Sequence, residues 1–287
     1  MAASEPGKLP ALRDYPQLKR MERWVLSVVE RVNLSPFGKR AAREFQLQFG
    51  TRWVYPSIKN LLHIEGLDRM RALRPPGPTL LVVNHRSFFD QYVIACILLR
   101  ETKVFKQIYS PVRANFFYDS PAGLAVNAII SGMAMYPPFF REPERAELNR
   151  ASMELLVRLL DNPETTIGFH PEGTRGKGPD PYELLPAQPG VGRLVLEGPP
   201  DLMVIPVFIN GLVNDIVKQI TSNLDRSGIA ITLTFGEPID LSRFKGVKSR
   251  LTTQKKVADQ LHLSIQELGE RDRAMRARLK SQGVRVD

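Results

Sequence analysis

Thr79-Leu80-Leu81-Val82-Val83-Asn84-His85-Arg86-Ser87-Phe88-Phe89-Asp90 decides the fold. A short apolar run of strand type ends in Asn84-His85, and an apolar run of helical length, Phe88 to Leu99, begins almost at once. A buried strand feeding a helix is the unit of an open α/β sheet, and such sheets bind ligands at the carboxyl ends of their strands. His85 is therefore expected on that turn, with Asp90 in the first turn of the next helix, able to fold back toward the ring. An imidazole oriented by a carboxylate can take a proton from a hydroxyl near neutral pH. Ser87-Phe88-Phe89-Asp90 also fits a capping box, in which Asp90 bonds back to the N-cap amide and does nothing for His85.

Outward from this stretch, strands and helices alternate. Strands are expected at Leu61–Glu65, Lys103–Ile108, Met133–Tyr136, Thr165–Phe169, Met203–Ile209 and Ile229–Phe235. Pro206 marks its strand as an edge, a bulge or a strand end, because proline lacks the N–H a ladder needs. A short helix or turn is expected at 115–119, helices at 122–130, 144–160 and 191–197, and a long basic one at 251–282. The pattern predicts an α/β fold, a mostly parallel sheet with helices on both faces. An N-terminal amphipathic helical pair precedes it. Met21, Trp24, Val25, Val28, Val29 and Val32 recur at helical spacing, Pro36 and Gly38 break that helix, and a second runs from Lys39 toward Trp53. The two helices either lie in a lipid headgroup layer with Trp24, Phe45, Phe49 and Trp53 inserted, or pack on the body as ordinary helices. Three regions result: 1–60, a disordered lead (1–14) and the helical pair, a possible membrane-binding motif; 61–250, the catalytic α/β region; and 251–287, the basic C-terminal helix.

The net charge of +10 is unevenly spread. Residues 1–74 hold 14 Lys and Arg against 7 Asp and Glu, and residues 241–287 hold 12 against 5. The middle, 75–240, holds 14 against 18. Basic ends on a mildly acidic body favour a polyanionic surface, nucleic acid or an anionic membrane leaflet. Residues 1–15 lack the apolar core of a signal peptide, and the uncharged stretch 120–140 is interrupted by Pro121, Gly123, Asn127, Gly132 and Pro137-Pro138, so no membrane span is expected. The single cysteine, Cys96, falls in an apolar run and reads as a reduced, buried thiol of a cytosolic protein. The four histidines, His63, His85, His170 and His262, show no metal-ligand spacing, so no metal is expected.

A second constellation, His170-Pro171-Glu172-Gly173-Thr174-Arg175, follows another apolar strand. Gly173 permits a tight turn, and an arginine fork at Arg175 suits a phosphate or carboxylate. Glu172 and Arg175 could equally form a local surface pair. His170 is either a second base or a packed ring. Arg141, after Phe139-Phe140, is placed to reach the same sheet edge.

Asn84 to Asp90, then Pro171-Glu172-Gly173-Thr174-Arg175, then Val204-Ile205-Pro206-Val207, in that order, resemble the glycerolipid acyltransferase family, whose best-known members are the 1-acylglycerol-3-phosphate acyltransferases. The resemblance covers about residues 60–240. It implies that His85 is the general base on an acceptor hydroxyl, that Asp90 holds its tautomer, and that no covalent enzyme intermediate forms. Glu172, Gly173, Thr174 and Arg175 would position a phosphorylated acceptor, with Arg141 as the arginine of the family's second motif. Pro121, Gly123 and Gly132 match family landmarks. Arg113 stands where the family often has lysine, and Ala187-Gln188-Pro189-Gly190 keeps only the glycine of the usual Phe-Lys-x-Gly.

The expectation is thus an O-acyltransferase of phospholipid synthesis, cytoplasmic and peripherally bound to anionic lipid. It would move a fatty acyl group from acyl-coenzyme A or acyl-carrier protein to 1-acylglycerol 3-phosphate, with no cofactor beyond that co-substrate. Glycerol 3-phosphate or another lysophospholipid is the alternative acceptor. A non-catalytic lipid- or nucleic-acid-binding protein on the same scaffold is the competing class, and nucleic acid is not the expected partner.

Overall fold

A computed structural model describes residues 11–287. The helices α1 (Arg20–Asn33), α2 (Pro36–Phe45) and α3 (Thr51–Val54) lead into strand β1 (Leu62–Glu65) and helix α4 (Leu67–Ala72). The opening motif gives β2 (Thr79–Val83) and α5 (Asp90–Glu101). Then come β3 (Gln107–Tyr109), β4 (Val112–Arg113), α6 (Ala114–Phe117), α7 (Pro121–Ser131) and β5 (Pro138–Phe139). After these follow α8 (Ala146–Leu159), β6 (Thr165–Phe169), α9 (Gly190–Glu197), β7 (Met203–Asn210), α10 (Ile216–Leu224), β8 (Ile231–Phe235) and α11 (Leu251–Ser281).

Six strands form one sheet in the order β1-β8-β7-β2-β6-β3, parallel throughout except between β7 and β8. Alternation along the strands splits the core in two. Leu80, Val82, Val204 and Phe208 face α8, α9 and α11, while Leu81, Val83, Ile205 and Val207 face α5. Every residue of β2 is buried, as a central strand covered on both faces requires. The fold is α/β, as the alternation of elements predicts. β2 lies between β6 and β7, with Val82 in register with both Phe169 and Pro206. The chain segments that leave β2, β6 and β7 therefore emerge side by side.

Some local expectations are corrected. Pro206 does not mark an edge, because β7 is flanked by β8 and β2. Its carbonyl accepts from Gly236 at 2.9 Å, where β8 has just ended. The missing N–H thus falls where the β8 ladder no longer needs it. The first helix ends at Asn33, before Pro36 as expected, but the second starts at Pro36 and not at Lys39: Pro36 sits at the first helical position, where no N–H is required, and Ser35 caps the helix through a bond from the Gly38 amide. Met133–Tyr136 is not a strand, and the short ribbon β4–β5 forms just beyond it. The lead expected over residues 1–14 lies outside the described residues up to residue 10; beyond that, Leu12–Asp14 is a 3-10 turn with Leu12 buried.

The N-terminal helices pack on the body and leave several aromatic side chains outside. Val25, Leu26 and Val29 of α1 are fully buried, each contributing about 1.5–3 kcal/mol of apolar burial. Lys39 ties α2 to the body, its Nζ donating to Asn33 Oδ1 at 2.8 Å and the Ile108 carbonyl at 2.7 Å; burial lowers its pKa to about 7. Yet Trp24, Phe37, Phe45, Phe49 and Trp53 remain exposed, Phe37 at 82 % and Trp53 at 73 %. Among the described residues no helix is long and apolar enough to cross a membrane.

Candidate active site

The loops after β2 and β6 are bonded to one another through backbone groups. Glu172, only 3 % exposed, accepts from the His85 amide at 2.8 Å and, with its other oxygen, from the Leu185 amide at 2.8 Å. The Gly176 amide donates to the His85 carbonyl at 2.9 Å. Gly173 turns the loop at a φ of 67°, a conformation that disfavours any side chain. Glu172 therefore points inward as a strap between the loops. No surface pair joins Glu172 and Arg175.

Between these loops His85 Nδ1 donates to Asp90 Oδ2 at 3.1 Å. The same oxygen accepts from the Arg86 and Ser87 amides, each at 2.9 Å. Asp90 thus closes the turn and orients the ring at once, and the two readings of this residue coexist. With Nδ1 donating, Nε2 carries the free lone pair. Burial, helped by the nearby Arg175 charge, lowers the His85 pKa to about 3. Burial raises Asp90 to about 6 against the pull of its donors. At neutral pH the ring is uncharged and the carboxyl ionised, as a general base and its orienting partner require.

His170 is a packed ring. It stacks on His85 with centroids 3.9 Å apart and planes 13° from parallel. Its Nδ1 donates to the carbonyls of Val83 and Asn84 at 3.1 and 2.9 Å, and its Nε2 accepts from Gln91 at 3.0 Å. Both nitrogens are committed, so His170 supports the neighbouring ring and cannot serve as a second base. Potential ligand atoms of His85, Asp90 and His170 lie within 4.8 Å of one another, close enough for a metal ion, although His85 Nδ1 is taken by Asp90 and the His170 nitrogens by Gln91 and two backbone carbonyls.

A basic rim flanks the dyad. Arg175 donates to Asn214 Oδ1 at 3.0 Å, and Arg141 donates to Thr174 Oγ1 at 3.1 Å. Arg113 is exposed on β4, in register with Phe139 on β5, two residues before Arg141. On the other side stands an aromatic wall. Phe88 packs against Phe89, Tyr92, Phe116 and Phe117 with centroids 5.3–5.7 Å apart. α6 brings Phe116 and Phe117 there, and α7 packs against α6. They meet so closely that a Cβ on Gly123 would lie 1.9 Å from the Phe116 carbonyl oxygen.

The family model described as Acyltransferase matches residues 62–210, from β1 to the end of β7. The chain belongs to the acyltransferase family. Among solved structures, the 1-acyl-sn-glycerophosphate (LPA) acyltransferase PlsC from Thermotoga maritima is similar, at 18 % identity over 85 % of this chain and 88 % of that one, with a TM-score of 0.47. No curated protein sequence matches the chain.

Three contributors to the acyltransferase site escape sequence reading. Asn84 clasps both backbone groups of Ile209, at 2.9 and 2.8 Å, and so pins the motif to β7. Gln91 fixes the His170 tautomer. Asn214 gathers Arg175, the Phe88 amide at 2.8 Å and Ser87 Oγ at 3.3 Å on one oxygen. An asparagine just past the end of a strand was the available signal for Asn214. Its partners, however, lie 39 to 127 residues away in sequence.

Proposed function

We propose that this acyltransferase moves a fatty acyl group from a thioester donor to the free hydroxyl of 1-acylglycerol 3-phosphate, working as a peripheral enzyme on an anionic membrane. The observation that carries the reading is the Asp90–His85 pair, with an uncharged ring, a free Nε2 and a rim of arginines beside it. His85 Nε2 takes the hydroxyl proton as the oxygen attacks the thioester carbonyl. The tetrahedral adduct collapses, the C–S bond breaks, and the imidazolium returns its proton to the departing thiolate. Asp90 holds Nδ1–H throughout and stabilises the transient positive charge. The product is an ester and a free thiol, with no group left on the enzyme.

Arg141, Arg175 and Arg113 would hold the acceptor phosphate, with Gly173 and Thr174 shaping the loop between them. Glu172 would act on substrate only through the shape of that loop, since both its oxygens serve amides. The aromatic wall offers an apolar surface for acyl chains. The exposed Phe37, Phe49 and Trp53, interleaved with Arg40, Arg43 and Arg52, fit a headgroup-level surface with anionic lipid.

An acceptor panel run with both acyl-coenzyme A and acyl-carrier protein, reading thiol release, tests the reading. The expected result is turnover with 1-acylglycerol 3-phosphate well above that with glycerol 3-phosphate or lysophosphatidylcholine. A preference for either of the others would reassign the acceptor. No thiol release with any pair would remove the enzyme reading.

A further inference from the structure

α10 (Ile216–Leu224) is amphipathic the wrong way round for a helix that packs on a body. Its inner face is polar, with Gln219 and Asn223 buried. Its outer face is apolar: Ile216, Val217, Ile220 and Leu224 are exposed, Val217 at 67 % and Leu224 at 64 %. Positions 216, 220 and 224, four apart, stand one above another, and 217 lies beside them. The inner amides fix this orientation. Asn223 Nδ2 donates to the Pro56 carbonyl at 2.6 Å, its Oδ1 accepts from the Asn60 amide at 2.9 Å, and Asn60 Nδ2 donates to the Asn223 carbonyl at 2.9 Å. Gln219 accepts from the Val213 amide at 3.0 Å and donates to the Ser57 carbonyl at 3.3 Å. Turning the apolar stripe inward would break these bonds and leave buried backbone groups unpaired.

The surroundings of the stripe favour lipid as its partner. The segment that seats α10, residues 56–60, directly follows α3, the helix of the exposed Trp53. At its other end α10 begins just after Asn214, which bonds Arg175 and the Phe88 amide at the active site. Lys59 on the seat and Lys218 on the helix are exposed, with no ion pair among the described residues. Cations beside an apolar stripe suit anionic headgroups. A helix of nine residues is about 14 Å long, far short of the roughly 800 Å² per partner that a stable dimer buries.

We propose that α10 is a membrane-contacting helix, its apolar stripe lying in the headgroup layer of an anionic leaflet and holding the rim of the active site against the lipid. The assignment rests on the lipid-acceptor reading and adds to it a contact surface separate from α1, α2 and α3. An acceptor dissolved in the leaflet then reaches the site without carrying its acyl chain through water. Its phosphate passes toward Arg175 beside Asn214, while the chain stays in apolar surroundings. α10 lies beyond the family match, which ends at residue 210.

The full-length parent and a Val217→Ser, Leu224→Ser double variant are compared by co-sedimentation with phosphatidylglycerol vesicles. Both side chains are exposed and outside the catalytic machinery, so the fold is expected to persist, which a thermal melt checks. The variant should bind about five- to tenfold more weakly. As a second measurement, Val217→Cys is labelled with an environment-sensitive dye, Cys96 being buried, and its emission should shift to the blue on the vesicles. The KM for 1-acylglycerol 3-phosphate carried in vesicles should rise in the double variant, while kcat and the KM for a soluble short-chain acceptor stay within about twofold. Equal vesicle binding by parent and variant, an unshifted dye, or a parent that stays in the supernatant each overturns the assignment. So does a concentration-dependent dimer of the parent, without lipid, that the variant loses, since the stripe would then belong to a second copy. Failure of the acyltransferase reading shows separately, as no thiol release by the parent from soluble substrates, and the vesicle measurements still decide the contact.

Discussion

The turn Asn84–Asp90 has two unlike flanks. On one, Phe88, Phe89 and Tyr92 meet Phe116 and Phe117 in a wall of rings. On the other, Arg86, Arg175, Lys177, Arg273 and Arg276 line a cleft. The wall draws its rings from two short segments of chain. The cleft draws its cations from three places spread over almost two hundred residues. The proposed transfer of an acyl chain to a phosphorylated acceptor has use for one flank of each kind. His85 stands between them, held in one orientation by Asp90 and supported from below by His170.

The largest effect is expected where the flanks join. Asp90→Asn keeps the shape of the residue but loses the charge that holds the His85 tautomer, so kcat should fall about 10²- to 10³-fold. The melting temperature should drop by only a few degrees, because an amide oxygen can still accept from the Arg86 and Ser87 amides. A kcat within about threefold of the parent would reduce Asp90 to a helix cap.

The pH dependence comes next. Burial raises Asp90 to about 6 while His85 sits at about 3, so between them the pair gains one proton as pH falls through about 6. That proton neutralises the orienting carboxylate. The rate kcat/KM should therefore be level above pH 7 and decline toward tenfold per unit below about pH 6. A level profile down to pH 5 would contradict the assignment.

Asn214→Ala compares the flanks directly, since Asn214 ties Arg175 of the basic side to the Phe88 amide of the aromatic side. The acceptor KM should rise about three- to tenfold, the loss of one or two hydrogen bonds, with kcat little changed. A fall in kcat with KM constant would instead make Asn214 part of the base's support. The smallest effect on chemistry is expected from Phe37→Ser with Trp53→Ser. Vesicle co-sedimentation on anionic lipid should weaken several-fold, while thiol release with a soluble short-chain acceptor stays unchanged. Equal vesicle binding by parent and variant would remove these side chains from any membrane surface.

The contrast between the flanks also explains what the sequence made legible. The sheet could be read because each buried strand is a local apolar run, and His85 and Asp90 meet because only a turn separates them. The strap from Glu172 was not legible, since a glutamate beside an arginine looks like a surface pair until parallel pairing of β2 with β6 brings the His85 amide to it. Pro206 misled because the rule against proline in central strands assumes a neighbour on each side, and β8 ends beside it. Gln91 and Asn214 act through long-range partners that no local pattern carries. α11 looked like a basic helix free to meet a surface. Arg271 pairs with Glu65, and Arg276 bonds the Ala230 carbonyl at 2.9 Å, so part of its charge is committed within the molecule.

The most direct test of the dyad is steady-state thiol release from acyl-coenzyme A in the presence of 1-acylglycerol 3-phosphate, by the parent and by His85→Ala. The parent should turn over, and the variant, folded by circular dichroism, should be slower by about 10²- to 10⁴-fold in kcat. A folded His85→Ala that releases thiol as fast as the parent would show that the base lies elsewhere.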